Sequence, residues 1–206
     1  MKIMRIPTGA LSVNTYYVVD EATNKGFLID PGGYDSSLAK MIKADNVSLS
    51  YIILTHGHHD HMGGVIDFMK EFPDAKLVAS IHEKGILEDA EANFSNYFGE
   101  NVKLTPDIYV DDNDDTLEVG ELTLKFLHTP GHTPGGLCIL VGDNLFSGDT
   151  LFRQSIGRTD FPGSSFAALK KAIHEKLFVL PDTTAVYPGH MEPTDIGFEK
   201  RNNPFV

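Results

Sequence analysis

The stretch Leu54-Thr55-His56-Gly57-His58-His59-Asp60-His61-Met62-Gly63-Gly64 leaves the chain few ways to fold. It follows the apolar run Tyr51-Ile52-Ile53-Leu54, which reads as a buried strand, and it precedes a glycine pair and an amphipathic helix pattern. A short loop at a strand end escapes the two-face alternation of the strand, so it can aim several side chains into one cleft. Imidazole and carboxylate are ligands suited to zinc and other first-row metals. A solvated His-rich loop would have the same composition, but this one is internal and is fed directly by a buried strand. The reading is a metal site at a strand-loop-helix step.

Length and charge narrow the frame. A chain of 206 residues is long enough for one sizeable α/β domain and short for two, so residues 1–206 are read as a single domain. A formal net charge of −12 disfavours a nucleic-acid-binding face and an anionic membrane surface as partners. The first residues, Met1 to Pro7, are too mixed for a signal peptide, and no apolar run is long enough to span a bilayer. The single cysteine, Cys138, fits a reducing cytoplasm and sits in an apolar run, so it reads as core filler rather than nucleophile.

Along the chain, strands and helices alternate. Residues 16–19 and 27–29 read as a hairpin that ends in Asp30-Pro31-Gly32-Gly33, a tight turn exposing a carboxylate at a strand end. Asp35 or Ser36 caps a helix to Ala44, and Val65–Phe72 reads as a helix stopped by Pro73. Residues 77–79 read as a strand. Ile81 to Asn101 is the least legible part, helical first and then an irregular aromatic loop. Residues 108–110 and 122–127 flank the acidic run Asp111 to Asp115, read as a solvated hairpin tip because it lacks the spacing of a calcium loop. A hairpin over 137–146, a helix from Ser164 to Leu177 and a last strand at 184–187 complete the pattern, which suggests two sheets packed face to face with helices outside.

Further donors stand at the ends of second-half strands: His132 in a turn-rich loop, Asp149 in Ser147-Gly148-Asp149-Thr150, and His190 in Tyr187-Pro188-Gly189-His190. If those ends meet the His-rich loop, seven ligands converge: His56, His58, Asp60, His61, His132, Asp149 and His190. That is the supply for two metals, three protein ligands each and one bridging carboxylate, with positions left for water. His59 reads as pointing away, His82 and His174 as solvated, and His128 as packing beside the site.

Thr55-His56-Gly57-His58-His59-Asp60-His61, with His132, Asp149 and His190, closely resembles the ligand pattern of the metallo-β-lactamase superfamily. Within it the chain is similar to the small glyoxalase II-like hydrolases, through Gly148-Asp149-Thr150-Leu151-Phe152, Ile156 to Gly163, Tyr187-Pro188-Gly189-His190 and the tail Glu199 to Phe205. The resemblance implies an α/β fold, the αβ/βα four-layer sandwich, with two mixed sheets face to face. It implies His56, His58 and His132 on one ion, Asp60, His61 and His190 on a second, and Asp149 bridging them, with Asp60 and Asp149 the carboxylates at the reacting centre. Members of the family use zinc, and some carry iron or manganese.

The activity implied is hydrolysis of a small-molecule acyl thioester such as S-lactoylglutathione by a metal-bridging hydroxide. Full-length glyoxalase II enzymes add a helical C-terminal domain that grips glutathione; this chain ends at residue 206, too close to His190 for one. Arg158 is a candidate for a substrate carboxylate, and a structural pairing with Asp160 is its alternative. Persulfide dioxygenases of the superfamily share Gly157-Arg158-Thr159-Asp160-Phe161 and hold one iron at the positions of His56, His132 and Asp149, which makes that chemistry the alternative. A non-catalytic metal-binding protein would need fewer ligands.

Overall fold

The computed structural model describes residues 1–111 and 115–206. Six strands make the first sheet, in spatial order β1 (Lys2–Thr8), β2 (Val13–Asp20), β3 (Lys25–Ile29), β4 (Ser48–Ile53), β5 (Lys76–Ser80) and β6 (Ile108–Val110). β1 to β3 are antiparallel; β3 to β6 run parallel, joined by crossovers that carry helices α1 (Ser36–Ala44), α2 (His59–Met62), α3 (Val65–Glu71) and α4 (Lys84–Leu87). Asp35 caps α1 by accepting from the Ser37 and Leu38 amides, as its position before an apolar-periodic run requires.

The second sheet holds β7 (Thr116–Val119), β8 (Leu122–His128), β9 (Leu137–Val141) and β10 (Asn144–Gly148). Beyond β10 it continues with β13 (Ala185–Pro188) and β14 (Thr194–Asp195), and β11 (Leu151–Phe152) pairs with β12 (Ser155–Ile156) as a separate ribbon. Between β12 and β13 lies α5 (Phe166–Ala172), continued by a π turn (Ile173–Leu177), and α6 (Ile196–Asn202) closes the chain.

Period-two alternation assigns the layers. Tyr16, Val18, Phe27 and Ile29 meet Leu124, Phe126, Ile139 and Phe146 between the two sheets. The alternate residues Tyr17, Val19 and Leu28 face α1 and α3 through Leu38, Ile42, Val65 and Phe68. On the far side Leu145 and Val186 pack on Leu169, Ile173 and Ile196. The result is the αβ/βα sandwich with helices outside. Each fully buried Leu, Ile, Val or Phe in these layers contributes about 1.5–3 kcal/mol of transfer free energy. Among the described residues no helix is long and apolar enough to cross a membrane.

Four local expectations change. The N-terminal residues form an edge strand, β1, whose mixed, half-exposed side chains hide it from a pattern search. Residues 108–110 and 122–127 do not form a hairpin: β6 pairs with β5 in one sheet, and β8 pairs with β7 and β9 in the other. Of the acidic run expected as a hairpin tip, residues 112–114 lie outside the described residues. The strand at 184–187 is not the last element, since β14 and α6 follow. The helix expected from Ser164 starts at Phe166, with Ser165 as its cap.

Candidate metal centre

The C-terminal ends of the parallel strands β3, β4 and β5 lie on one edge of their sheet, as parallel pairing demands, and those of the parallel pair β10 and β13 lie on one edge of the other. Backbone bonds join the two edges. Thr55 O accepts from Leu137 N at 2.8 Å, which pins the start of the His-rich loop to the second sheet. Gly189 N donates to Gly148 O at 2.8 Å, and Gly189 O accepts from Asn14 N at 2.7 Å. Gly189 must lack a side chain: a Cβ there would sit 2.5 Å from Asp149 Oδ1 and 2.6 Å from His61 Cε1. His58 caps the single turn α2 in extended conformation, and the turn swings Asp60 and His61 back towards the strand ends.

The structure brings all seven predicted donors together. One group is His56, His58 and His132; another is Asp60, His61 and His190; Asp149 joins His56 and His61 in a third, each with ligand atoms within 4.8 Å of one another. His58 Nδ1 lies 3.1 Å from His56 Nε2 and 3.0 Å from His132 Nε2. Asp149 faces both sides: Oδ1 is 3.3 Å from His61 Nε2, and Oδ2 is 3.7 Å from His132 Nε2 and 3.8 Å from His190 Nε2. Asp60 Oδ2 lies 3.2 Å from His190 Nε2.

The far nitrogens fix the tautomers. His132 Nδ1 donates to Arg158 O at 2.8 Å, and His61 Nδ1 donates to Asp30 Oδ2 at 2.9 Å. Thr55 Oγ1 gives its proton to Asp30 Oδ2, so it accepts from His56 Nδ1 at 3.2 Å. Each of these three rings, when neutral, therefore turns a bare Nε2 lone pair inward. One of those buried nitrogens, His61 Nε2, and the buried Asp149 Oδ1 have no hydrogen-bond partner among the described residues. Converging lone pairs, two orphaned buried donors and an N/O ligand set fit divalent cations.

Electrostatics agree. Burial first, then the neighbouring imidazoles, push His56 well below the ordinary histidine value, and burial and His132 bring His58 down to about 3. Burial alone would raise Asp60 and Asp149, yet His61 and His190 hold both below the usual carboxylate range. His61 runs the other way: burial lowers it, but Asp149, Asp60 and Asp30 together push it well above the usual value. Carboxylates on three sides of one imidazole demand positive charge at that point.

Two acids that brace the site were missed. Asp30, expected as an exposed carboxylate, is 1% exposed and accepts from Thr55 N, Thr55 Oγ1 and His61 Nδ1. Its place at a strand end, like the ligands', was the available signal. Glu83 is also 1% exposed; it accepts from Gly57 N at 2.9 Å and Gly135 N at 2.7 Å, and burial raises it above the usual range. Nothing local in the sequence marks it.

The remaining candidates divide. His59 belongs to none of the donor groups; its ring lies on Phe98, with Nε2 3.7 Å from Glu100. His82 is exposed but bonded to Asp111 at 3.1 Å and stacked on His128, and His174 is exposed on the outer helix. Arg158 reaches the cavity over the donors, yet its Nε and Nη2 bond Asp160, at 2.9 and 2.7 Å, and it lies 4.2 Å over the Phe161 ring. Cys138 is fully buried, its thiol pushed up to about 11 by burial.

Comparison with known proteins follows this geometry. A family model described as the metallo-beta-lactamase superfamily matches residues 8–190. Hydroxyacylglutathione hydrolase GloC of Haemophilus influenzae is 32% identical over all of this chain and 98% of its own. Among solved structures, BLEG-1 B3 metallo-beta-lactamase superposes with a TM-score of 0.91 at 35% identity, covering 99% of each chain. ETHE1 from Myxococcus xanthus has a TM-score of 0.79 at 32% identity, over 99% of this chain and 84% of that one. TTHA1623 in a di-iron-bound form has a TM-score of 0.83 at 30% identity, over 98% of this chain and all of that one.

Proposed function

Because the chain belongs to the metallo-β-lactamase superfamily, we propose that it is a dinuclear metal-dependent hydrolase of acyl thioesters, S-lactoylglutathione among them. The observation that carries the reading is Asp149, whose carboxylate lies between two donor groups, within 3.7 Å of His132 on one side and within 3.3 and 3.8 Å of His61 and His190 on the other. The likeness to a relative named hydroxyacylglutathione hydrolase supports the substrate class, and the likeness to a protein with a di-iron form supports two ions. Zinc is the first expectation, iron or manganese the variants.

Two divalent cations held by these seven residues would supply an activated water and polarise the thioester carbonyl. The chain's own residues do the rest. His56, His132 and His61, each anchored through Nδ1, keep their Nε2 atoms aimed at the centre. Asp149, held ionised by its imidazole neighbours, keeps the two donor groups in register. Asp60, ionised at the cavity edge, is the carboxylate available to hold the water's proton and return it to the departing sulfur. Water adds to the acyl carbon, the C–S bond breaks, and a carboxylic acid and a thiol leave. No protein nucleophile is required, which accords with a buried, protonated Cys138.

Metal counts per chain and thiol release from S-lactoylglutathione test the proposal. Two ions and turnover are expected; fully metallated protein that hydrolyses no thioester would refute it. A second reading, a mononuclear-iron persulfide dioxygenase, draws on the Gly157 to Phe161 stretch and the likeness to ETHE1. One iron per chain with oxygen uptake on glutathione persulfide would favour it.

A further inference from the structure

Above the donor groups lies a cavity of about 270 Å³ whose walls are unlike its floor. Phe94, Phe98, Phe152, Phe161 and Leu11 line it, from four separate parts of the chain. Leu11 and Phe98, 56% and 42% exposed, stand at its mouth, and Tyr97, 77% exposed, flanks it in a neighbouring cavity. Large apolar side chains left in water at one spot mark a binding surface rather than a packing one. The wall is also held under strain. Phe94 adopts φ +66°, a left-handed conformation that is costly for a residue with a side chain, and its ring packs on His58 and Phe161.

Charge excludes one kind of occupant. Arg158 is the only lysine or arginine among the described residues lining the cavity, and its Nε and Nη2 both bond Asp160. The neighbouring cavity, about 330 Å³ and sharing Phe94 and His58, carries Asp89 and Glu91 and no lysine or arginine among its described residues. A third, bordering Phe98 and His59, carries Glu100. A substrate flank bearing a carboxylate and seated against this wall would meet carboxylates and rings, and the one guanidinium beside it, Arg158, is already paired with Asp160.

We propose that the acyl group this site accepts is an uncharged, apolar chain of several carbons, seated against Phe94, Phe98, Phe161 and Leu11 while its carbonyl reaches the donor groups. The inference rests on the thioesterase reading and deepens it: the polar lactoyl group is tolerated, and a longer alkyl chain is preferred. Contacts made along the chain and kept in the transition state raise kcat/KM. One buried methylene is worth about 0.8 kcal/mol, so kcat/KM rises about two- to fourfold per added methylene until the wall is filled.

The experiment uses fully metallated protein and N-acetylcysteamine thioesters, one thiol throughout, with acyl groups from acetyl to octanoyl, plus lactoyl and the carboxylate-bearing succinyl. The expected result is a kcat/KM that climbs along the alkyl series, with succinyl about tenfold or more below butyryl. Phe98→Ala and Leu11→Ala should each lower octanoyl turnover several-fold more than acetyl turnover, flattening the climb. A flat series, or lactoyl and succinyl above the alkyl esters, overturns the inference while leaving the thioesterase reading intact. Hydrolysis of no ester at all removes the reading beneath it. A flat series accompanied by self-association that both variants abolish overturns the inference and reassigns the patch to a second copy of this chain.

Discussion

Glu83 is the residue whose replacement tests the architecture of the site most sharply. Its Oε2 accepts from the amide of Gly57, which lies between His56 and His58, and its Oε1 accepts from the amide of Gly135, three residues beyond His132. One buried carboxylate thus ties together the two loops that carry the three-histidine group. In Glu83→Gln one oxygen still accepts, but the new –NH₂ faces an N–H, so one charge-assisted bond is lost and one buried donor is left unpaired. A bond to a charged group is worth about 1.5–3 kcal/mol and an unsatisfied buried donor costs about 1–3 kcal/mol. The expected total is about 2.5–6 kcal/mol, divided between fold stability and loop alignment. Removing such outer partners of a ligand set commonly weakens metal affinity 10- to 100-fold. Urea denaturation of metal-free protein measures the first part, and zinc competition against a chelating dye, resolved into two binding steps, measures the second. The ion on His56, His58 and His132 should weaken, and the ion on Asp60, His61 and His190 should hold within a few-fold. Wild-type affinity at both steps would refute the clamp; equal weakening at both would reduce Glu83 to general stability.

Other perturbations follow from the same geometry. Asp60→Ala and His190→Ala should each drop one ion per chain while the three-histidine ion stays, read by metal counts; loss of both ions in each variant would show that the two groups are not independent. Asp30→Ala removes the acceptor of three bonds from a buried position, so about 3–5 kcal/mol of stability should go, together with the His61 ion, and an unchanged urea midpoint would contradict the buried brace. Arg158→Ala breaks an exposed, solvent-screened pair with Asp160, so KM for S-lactoylglutathione should change less than about fivefold; a larger rise in KM with kcat retained would return Arg158 to a substrate carboxylate. Cys138, pushed up to about 11 by burial, stays protonated at pH 8 and should resist iodoacetamide until the protein unfolds, and the stability its burial gives should fall as pH rises from about 9 towards 11; rapid labelling of folded protein would contradict its enclosure.

What the sequence made legible was what chemistry packs into short stretches. Continuous apolar runs marked β2 and β3 as strands, and Asp35 or Ser36 announced the start of α1. The strand-end donors were visible because each stands just past a strand-like run. What stayed hidden depends on contacts between distant residues. Glu83 meets Gly57 and Gly135 across 26 and 52 positions of chain, and no local pattern encodes that meeting. Turn-forming residues at 111–115 suit a hairpin and a crossover equally, so only sheet pairing could separate β6 from β8. The aromatic loop within 81–101 was visible, but not that its rings join Leu11, Phe152 and Phe161 in one wall, since an exposed ring and a core ring look alike in a sequence.

The charge pattern gives the reason such a site needs long-range bracing at all. Asp30, Asp60 and Asp149 crowd one imidazole, and no lysine or arginine side chain is among the partners recorded for the three. In the metal-free chain His61 relieves that crowding by favouring its charged form, while His56 and His58, a few ångströms away, are driven neutral. A divalent cation supplies the charge that the proton on His61 supplies otherwise, and it also satisfies the lone pairs that the neutral rings turn inward. The fixed acceptors outside the ring of donors, Asp30 on the Nδ1 side of His61, Arg158 O behind His132 and Glu83 beneath Gly57 and Gly135, hold the donor loops through bonds that use none of the inward-facing ligand atoms. Preorganisation of the centre is therefore carried by residues that touch no ion.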